Sequence, residues 1–139
     1  MRILIFIFSI FLFSCTTENR NVSLIESTPI VTVLGNETID FGTIIEGETI
    51  DLEFRIKNTG SGSLIITNAK ASCGCTKLDF PNEIINEGEV DLIKVTFDSK
   101  NKSGMQNKKI TLTTNAIPNI KILTIKGEVI PQKIKNILL

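Results

Sequence analysis

The stretch "TIDLEFRIKN" (Thr49–Asn58) sets Ile50, Leu52, Phe54 and Ile56 against Asp51, Glu53, Arg55 and Lys57 in strict alternation. Successive side chains of a strand leave opposite faces, so this spacing makes one dry face and one wet one. A helix, turning 3.6 residues at a time, would scatter both sets around its axis. The same period recurs along the chain. "IVTVL" (Ile30–Leu34) is a short β-branched run, and "SLIITNAKAS" (Ser63–Ser72) reads as a strand leading into two cysteines. "VDLIKVTFDSK" (Val90–Lys100) puts Ile93, Val95 and Phe97 on one face, and "KKITLTTN" (Lys108–Asn115) follows. In "IKILTIKGEVI" (Ile120–Ile130) the apolar phase slips between Ile122 and Leu123, which implies a bulge or burial on both faces. Turn chemistry separates these runs: Gly42, Glu46-Gly47, Asn58–Gly62, Asn101–Gly104 and Pro118-Asn119, with a loop over Asp79–Glu89. No twelve-residue window beyond residue 14 carries a helical repeat. About seven short strands in roughly 100 residues imply an all-β domain, an antiparallel β-sandwich over residues 29–130, with a small barrel as the alternative. Phe41, Phe54 and Phe97 are its expected aromatic core.

The first fourteen residues belong to something else. One basic residue, Arg2, precedes the apolar run Ile3–Phe13. Such a run is too short to cross a hydrocarbon layer of roughly 30 Å as a helix, and it has the form of an export signal. Leu12-Phe13-Ser14-Cys15 resembles a bacterial lipobox, with an aliphatic residue at −3 and a small one at −1, although Phe13 departs from the small or aliphatic residue usual at −2. The resemblance implies cleavage before Cys15 and acylation of its thiol, so that residues 1–14 are a lipoprotein signal peptide. Acyl chains contribute about 0.8 kcal/mol per buried CH₂, and several together hold a chain to a bilayer without a spanning helix. The polar stretch 15–28 then reads as a tether, and 131–139 ("PQKIKNILL") as a tail, packed or frayed. The expected location is the bacterial cell envelope, anchored most naturally to the outer membrane, with the lipid bilayer as one partner and an envelope protein as a candidate second.

Composition narrows function by removal. The chain has no histidine. That takes away Ser-His-Asp and Cys-His nucleophile systems, the usual zinc ligand sets, and the side chain best matched to proton transfer near neutral pH. From Cys15 onward fourteen basic residues face fifteen acidic ones, the full chain's fifteen of each less Arg2, for a net charge of −1. Nucleic-acid binding needs clustered Lys and Arg, and the chain offers no basic group larger than pairs such as Lys108-Lys109 and Lys133/Lys135. The expectation is a non-enzyme with no catalytic residue, no cofactor, no resident metal and no nucleic-acid partner.

Several phrases, in order, carry a resemblance: "IDFGTIIEGE", "FRIKNTGSGSLIITNAKASCGCT", "INEGEVDLIKVTFDSK", "KKITLTTNA" and "LTIKGEV". Together, from about Thr38 to Val129, they resemble the DUF1573 family of exported bacterial domains of unknown function, with Ser-Cys-Gly-Cys-Thr as the most specific piece. That family is similar to ASPM-SPD2-Hydin-type domains. The resemblance implies an immunoglobulin-like sandwich of about seven strands, often on a lipoprotein and commonly in the Bacteroidota, and it supplies no reaction or ligand.

Cys73-Gly74-Cys75 is the motif with chemistry to weigh. Residues two apart on a regular strand share a face, but their Cα atoms stand near the upper limit for a disulfide, and a glycine between them lets the backbone shorten that span. Three readings stay open. The pair is a local disulfide or two small buried side chains shaping the strand end. Or it is a clamp for a soft ion such as Cu(I), with Met105 the only methionine beyond the signal and no obvious third ligand. Or it does thiol redox chemistry, with Lys70 or Lys77 supplying positive charge. Glu46, Glu48, Asp51 and Glu53 alternate with apolar residues and read as a solvated strand face. The Asn-x-Ser/Thr triplets at Asn21, Asn36 and Asn101 carry little weight in a bacterial chain. The function expected is an interaction or assembly module that binds through sheet edges or end loops, the loop Cys73–Asp79 being the candidate. A copper-binding or thiol-redox accessory protein is the alternative.

Overall fold

A computed structural model describes residues 27–132, so Cys15, the signal, most of the tether and the tail from 133 lie outside the described residues. Eight strands run along the chain: β1 (Val31–Leu34), β2 (Thr38–Ile45), β3 (Thr49–Asn58), β4 (Ile66–Ala71), β5 (Thr76–Asp79), β6 (Val90–Asp98), β7 (Gly104–Thr114) and β8 (Ile120–Ile130). They form two four-stranded sheets, ordered β1-β3-β6-β5 and β2-β8-β7-β4. No helix among the described residues is long and apolar enough to cross a membrane.

The alternation in β3 and its neighbours does what it implies. Phe54 and Ile56 of β3 and Ile93, Val95 and Phe97 of β6 point inward and are buried, as are Ile110 and Leu112 of β7 and Leu123, Ile125 and Val129 of β8. Each fully buried side chain of this kind contributes roughly 1.5–3 kcal/mol of transfer free energy. Phe41 is half-buried and stacks on Phe97, ring centroids 5.5 Å apart.

Two features go beyond the alternation. The first run of the chain changes sheets: β1 pairs antiparallel with β3, and after Gly35–Glu37 the chain enters the other sheet, where β2 pairs parallel with β8. One pairing of the sandwich is therefore parallel. The eighth strand is β5, a four-residue edge pairing antiparallel with β6 from Thr76↔Phe97 to Asp79↔Lys94, and the loop begins only after it.

Neither alternative expected of β8, a bulge or burial on both faces, is found. Its pairing with β7 runs unbroken from Thr113↔Ile120 to Gly104↔Val129. The phase slip has another cause: Leu123, Ile125 and Val129 face the core, while Ile120 and Ile122 lie on the outer face and stay exposed. The irregularity belongs to β2, where the register with β8 shifts between Asp40 and Thr43. Gly42, expected to make a turn, sits inside this bulge with φ +72° and donates its amide to Asp40 Oδ1 at 2.9 Å. Opposite, a Cβ on Gly127 would stand 2.3 Å from the Phe41 ring and 2.6 Å from the Gly42 carbonyl oxygen, so β8 must be bare there.

Asn58 ends β3 as a buried hub. Its Nδ2 donates to the carbonyls of Gly62 (2.5 Å) and Ile85 (3.0 Å), and its Oδ1 accepts from the amides of Gly60 (3.1 Å) and Ile30 (3.3 Å). Its own amide donates to Glu89 O and its carbonyl accepts from Gly88 N. One side chain thus joins the approach to β1, the turn after β3 and the loop before β6. At the other end, buried Ser99 donates through Oγ to the carbonyls of Ile45 and Glu48, closing the β2–β3 turn.

Candidate functional site: the Cys73–Cys75 corner and the outer faces

β4 lies in one sheet and β5 in the other, so Ser72–Cys75 is the corner at which the chain crosses the sandwich. Each end of the corner is pinned by bonds that do not involve sulfur. Ser72 N donates to Lys109 O at 2.9 Å, and Lys109 N donates back to Ser72 Oγ at 3.1 Å. On the far side Asp98 N donates to Cys75 O at 3.0 Å, and Thr76 N to Cys73 O at 3.4 Å. Across this frame Cys73 and Cys75 are joined as a disulfide with a Cα–Cα separation of 5.3 Å, within the ordinary range. Gly74 contributes less than its place suggests: it is not in the left-handed region, and open space surrounds the position its Cβ would take. The crossing of the chain, rather than the glycine, brings the two Cα atoms together.

Both cysteines are partly exposed. Cys75 lines a shallow depression of about 140 Å³ with Thr49, Gly74, Lys77, Thr96 and Asp98. That is room for one side chain, below the several hundred Å³ of a typical small-molecule site. The Cys73 side is different. Its Sγ lies 3.5 Å from Thr76 Oγ1, and Thr76 is buried. Thr76, Thr96 and Asp98 were not singled out by the sequence. Only Thr76 carried a signal, as the last residue of the Ser-Cys-Gly-Cys-Thr phrase; the other two reach the corner through the β5–β6 and β3–β6 pairings.

The remaining candidates separate. Lys77 lies on the rim beside Cys75, whereas Lys70 is an exposed position of β4 in the other sheet. Met105 is exposed at the start of β7, four residues and about 13 Å of strand from Lys109, which pins the corner. Among the described residues no three Cys, Asp or Glu side chains come together as a metal-ligand group. Asp51 and Glu53 lie on the outer face of the first sheet, where Thr96 Oγ1 donates to Asp51 at 2.6 Å and Lys94 faces Asp79 at 4.0 Å. Exposed pairs of this kind are worth little. Glu48 is spent on the turn, accepting from Ile45 N at 3.0 Å.

The outer face of the second sheet carries what the sequence did not mark. Ile120 and Ile122 project from β8, and Ile117, 77% exposed, tops the β7–β8 turn. Exposed Ile65 lies across β7 from Ile120 and Ile122, its amide donating to Asn115 Oδ1 and its carbonyl accepting from Asn115 N.

A two-sheet sandwich whose first two strands lie in different sheets, the second pairing parallel with the last strand, has the immunoglobulin-like, PapD-like architecture. Within that class residues 32–129 match the family model "Protein of unknown function (DUF1573)", and the chain belongs to that family. Among solved structures it is similar to a protein of unknown function from Porphyromonas gingivalis, with a TM-score of 0.64 at 18% identity, over 73% of this chain and 47% of that one. This chain therefore spans about half the length of that relative. It is also similar to an ASH / PapD-like domain of human CEP192 (TM-score 0.60, 13% identity, 76% and 87% covered). A third similar structure is the Vibrio cholerae VesB protease (TM-score 0.55, 13% identity, 75% and 32% covered). At these identities the likeness is one of fold. No curated protein matches the chain in sequence.

Proposed function

We propose that the chain is an exported lipoprotein of the bacterial cell envelope, held to the bilayer through acylated Cys15, whose sandwich is a non-enzymatic interaction or assembly module. The observation that carries the module reading is the set of exposed isoleucines. Ile120 and Ile122 occupy successive outward positions of β8 and lead to exposed Ile117 at the β7–β8 turn, on an outer face that is otherwise mostly polar. Grouped exposed apolar residues mark contact surfaces more often than scattered ones do. On this reading the contact lies at the β7–β8 end of the second sheet and not at the Cys73–Asp79 loop, from which it is separated by the length of β7 between Lys109 and Thr114, about 17 Å. Support for the anchor comes from the lipobox-like Leu12–Cys15 and the polar stretch after it. The outer membrane is the location this reading favours.

The anchor is tested by expressing the full chain and its Cys15→Ser variant in a bacterial host. The parent is expected in the membrane fraction with the mass of a chain starting at an acylated Cys15. The variant is expected to lose the lipid mass and move to the soluble fraction. A parent whose intact mass shows no lipid would overturn the lipoprotein reading.

A further inference from the structure

The structure assigns the Cys73–Cys75 disulfide a reactive role: we propose that it exchanges with accessible protein dithiols, Cys75 being the sulfur attacked and Cys73 the one that leaves. This rests on the geometry of the corner alone, and a chain without a lipid anchor or an isoleucine contact would exchange equally.

Three observations carry it. First, the bond is redundant for the fold. It links residues two apart, so it closes the smallest of loops and gains least from restricting the unfolded chain. The corner it spans is already held by Ser72 with Lys109, Thr76 N with Cys73 O, and Asp98 N with Cys75 O. Second, the bond is reachable. Both cysteines are partly exposed, and Cys75, which packs on one side against the core, lines on the other a depression sized for one incoming side chain. Lys77 and Asp98 put one charge of each sign on that rim, so an approaching thiolate meets no net repulsion. Third, the two sulfurs are not equivalent. The Thr76 hydroxyl stands 3.5 Å from Cys73 Sγ. A hydroxyl donating to a thiolate stabilises its charge and makes it a better leaving group.

The chemistry balances without a further reagent. A partner thiolate attacks Cys75 Sγ, the partner-S–S-Cys75 bond forms, and the Cys73–Cys75 bond breaks. Its electron pair stays on Cys73 Sγ, which receives the Thr76 hydrogen bond and then a proton from solvent. The partner's second thiol, losing its proton, attacks the mixed disulfide and releases Cys75 as a thiolate, which is protonated in turn. The partner dithiol is oxidised by two electrons and the cysteine pair is reduced by two. Run backwards, the same steps oxidise the pair at the expense of a partner disulfide.

The test uses the full chain with Cys15→Ser, which leaves Cys73 and Cys75 as its only cysteines, in the oxidised form. Reduced glutathione is added to the folded protein, the reaction is stopped with acid, free thiols are alkylated, and fragmentation mass spectra locate each group. The expected result is glutathione on Cys75 and the alkyl group on Cys73. Folded protein should react at a rate within about tenfold of protein in urea, since the sulfurs are reachable without unfolding. Dithiothreitol should then carry the pair to full reduction with the thermal unfolding midpoint nearly unchanged. Thr76→Val should slow exchange roughly three- to tenfold, the worth of one ordinary hydrogen bond because the charge on Cys73 is only partly developed at the transition state, and erode the preference for Cys75. Exchange only in urea, glutathione mainly on Cys73, or unfolding on reduction would each overturn the proposal. If Thr76→Val does not fold, the position of attack in the parent chain decides alone.

Discussion

Removing the Asn58 side chain would leave the amides of Ile30 and Gly60 without their acceptor and the carbonyl of Gly62 without its donor, and would take from the Ile85 carbonyl one of its two donors, Leu64 N remaining, all around a fully buried site. Unsatisfied buried polar groups cost about 1–3 kcal/mol each, and some of these can reach water by local fraying. Asn58→Ala is therefore expected to destabilise the domain by about 3 kcal/mol, read as a lower urea midpoint. A loss below about 1 kcal/mol would mean that the loops reorganise around the gap. The sequence places Asn58 at the end of a strand and in a turn phrase, which is correct, but beside its near partners two and four residues on it holds others 27 and 28 residues away. Nothing local marks a side chain as the meeting point of three segments. Gly74 errs in the other direction. Its position between two cysteines suggests a conformational need, yet the backbone there suits any residue and the space around it is open. Gly74→Ala is expected to keep the disulfide and change stability by less than about 0.5 kcal/mol, checked by urea unfolding and intact mass.

β8 shows why a strand's phase has to be read together with its neighbours. Its isoleucines are too many for one face, which on sequence alone implies either a bulge in β8 or burial on both faces. The chain instead keeps β8 regular and leaves Ile120 and Ile122 outside. The extra residue is taken up by β2, whose bulge at Phe41-Gly42 lays the Phe41 ring over Gly127 and against Phe97. Gly127→Ala drives a methyl group into both that ring and the Gly42 carbonyl, so it should cost about 2 kcal/mol or more. Phe41→Ala in the same chain should relieve only the ring clash, leaving the double variant well below the parent in thermal unfolding. If Gly127→Ala proves neutral, the bulge is free to move away. β5 was unreadable for a related reason. Four residues carry too little alternation to stand out, and its assignment depends on β6 lying alongside.

At the scale of the molecule, the exposed isoleucines set an expectation that stability and function separate. Ile120→Thr with Ile122→Thr replaces outward-facing side chains by a residue equally suited to a strand, so unfolding in urea should shift by no more than about 0.5 kcal/mol. The same pair should weaken crosslinking to an envelope partner in intact cells; an unchanged crosslinking pattern would move the contact to another face. The sequence by itself determined that the chain is all-β, which side chains face inward in β3 and β6, where most turns fall, and which residues offer chemistry. These follow from period-two patterning and composition, and both are local. Only the tertiary structure decided that the first two strands lie in different sheets, that β2 lies parallel to β8, and that Cys73 and Cys75 sit at a crossing between sheets with Thr76 beside one sulfur. Alternation tells a strand which face to bury but not which neighbour to take. That choice is settled by contacts between segments far apart in the chain, and it places the disulfide corner and the isoleucine surface.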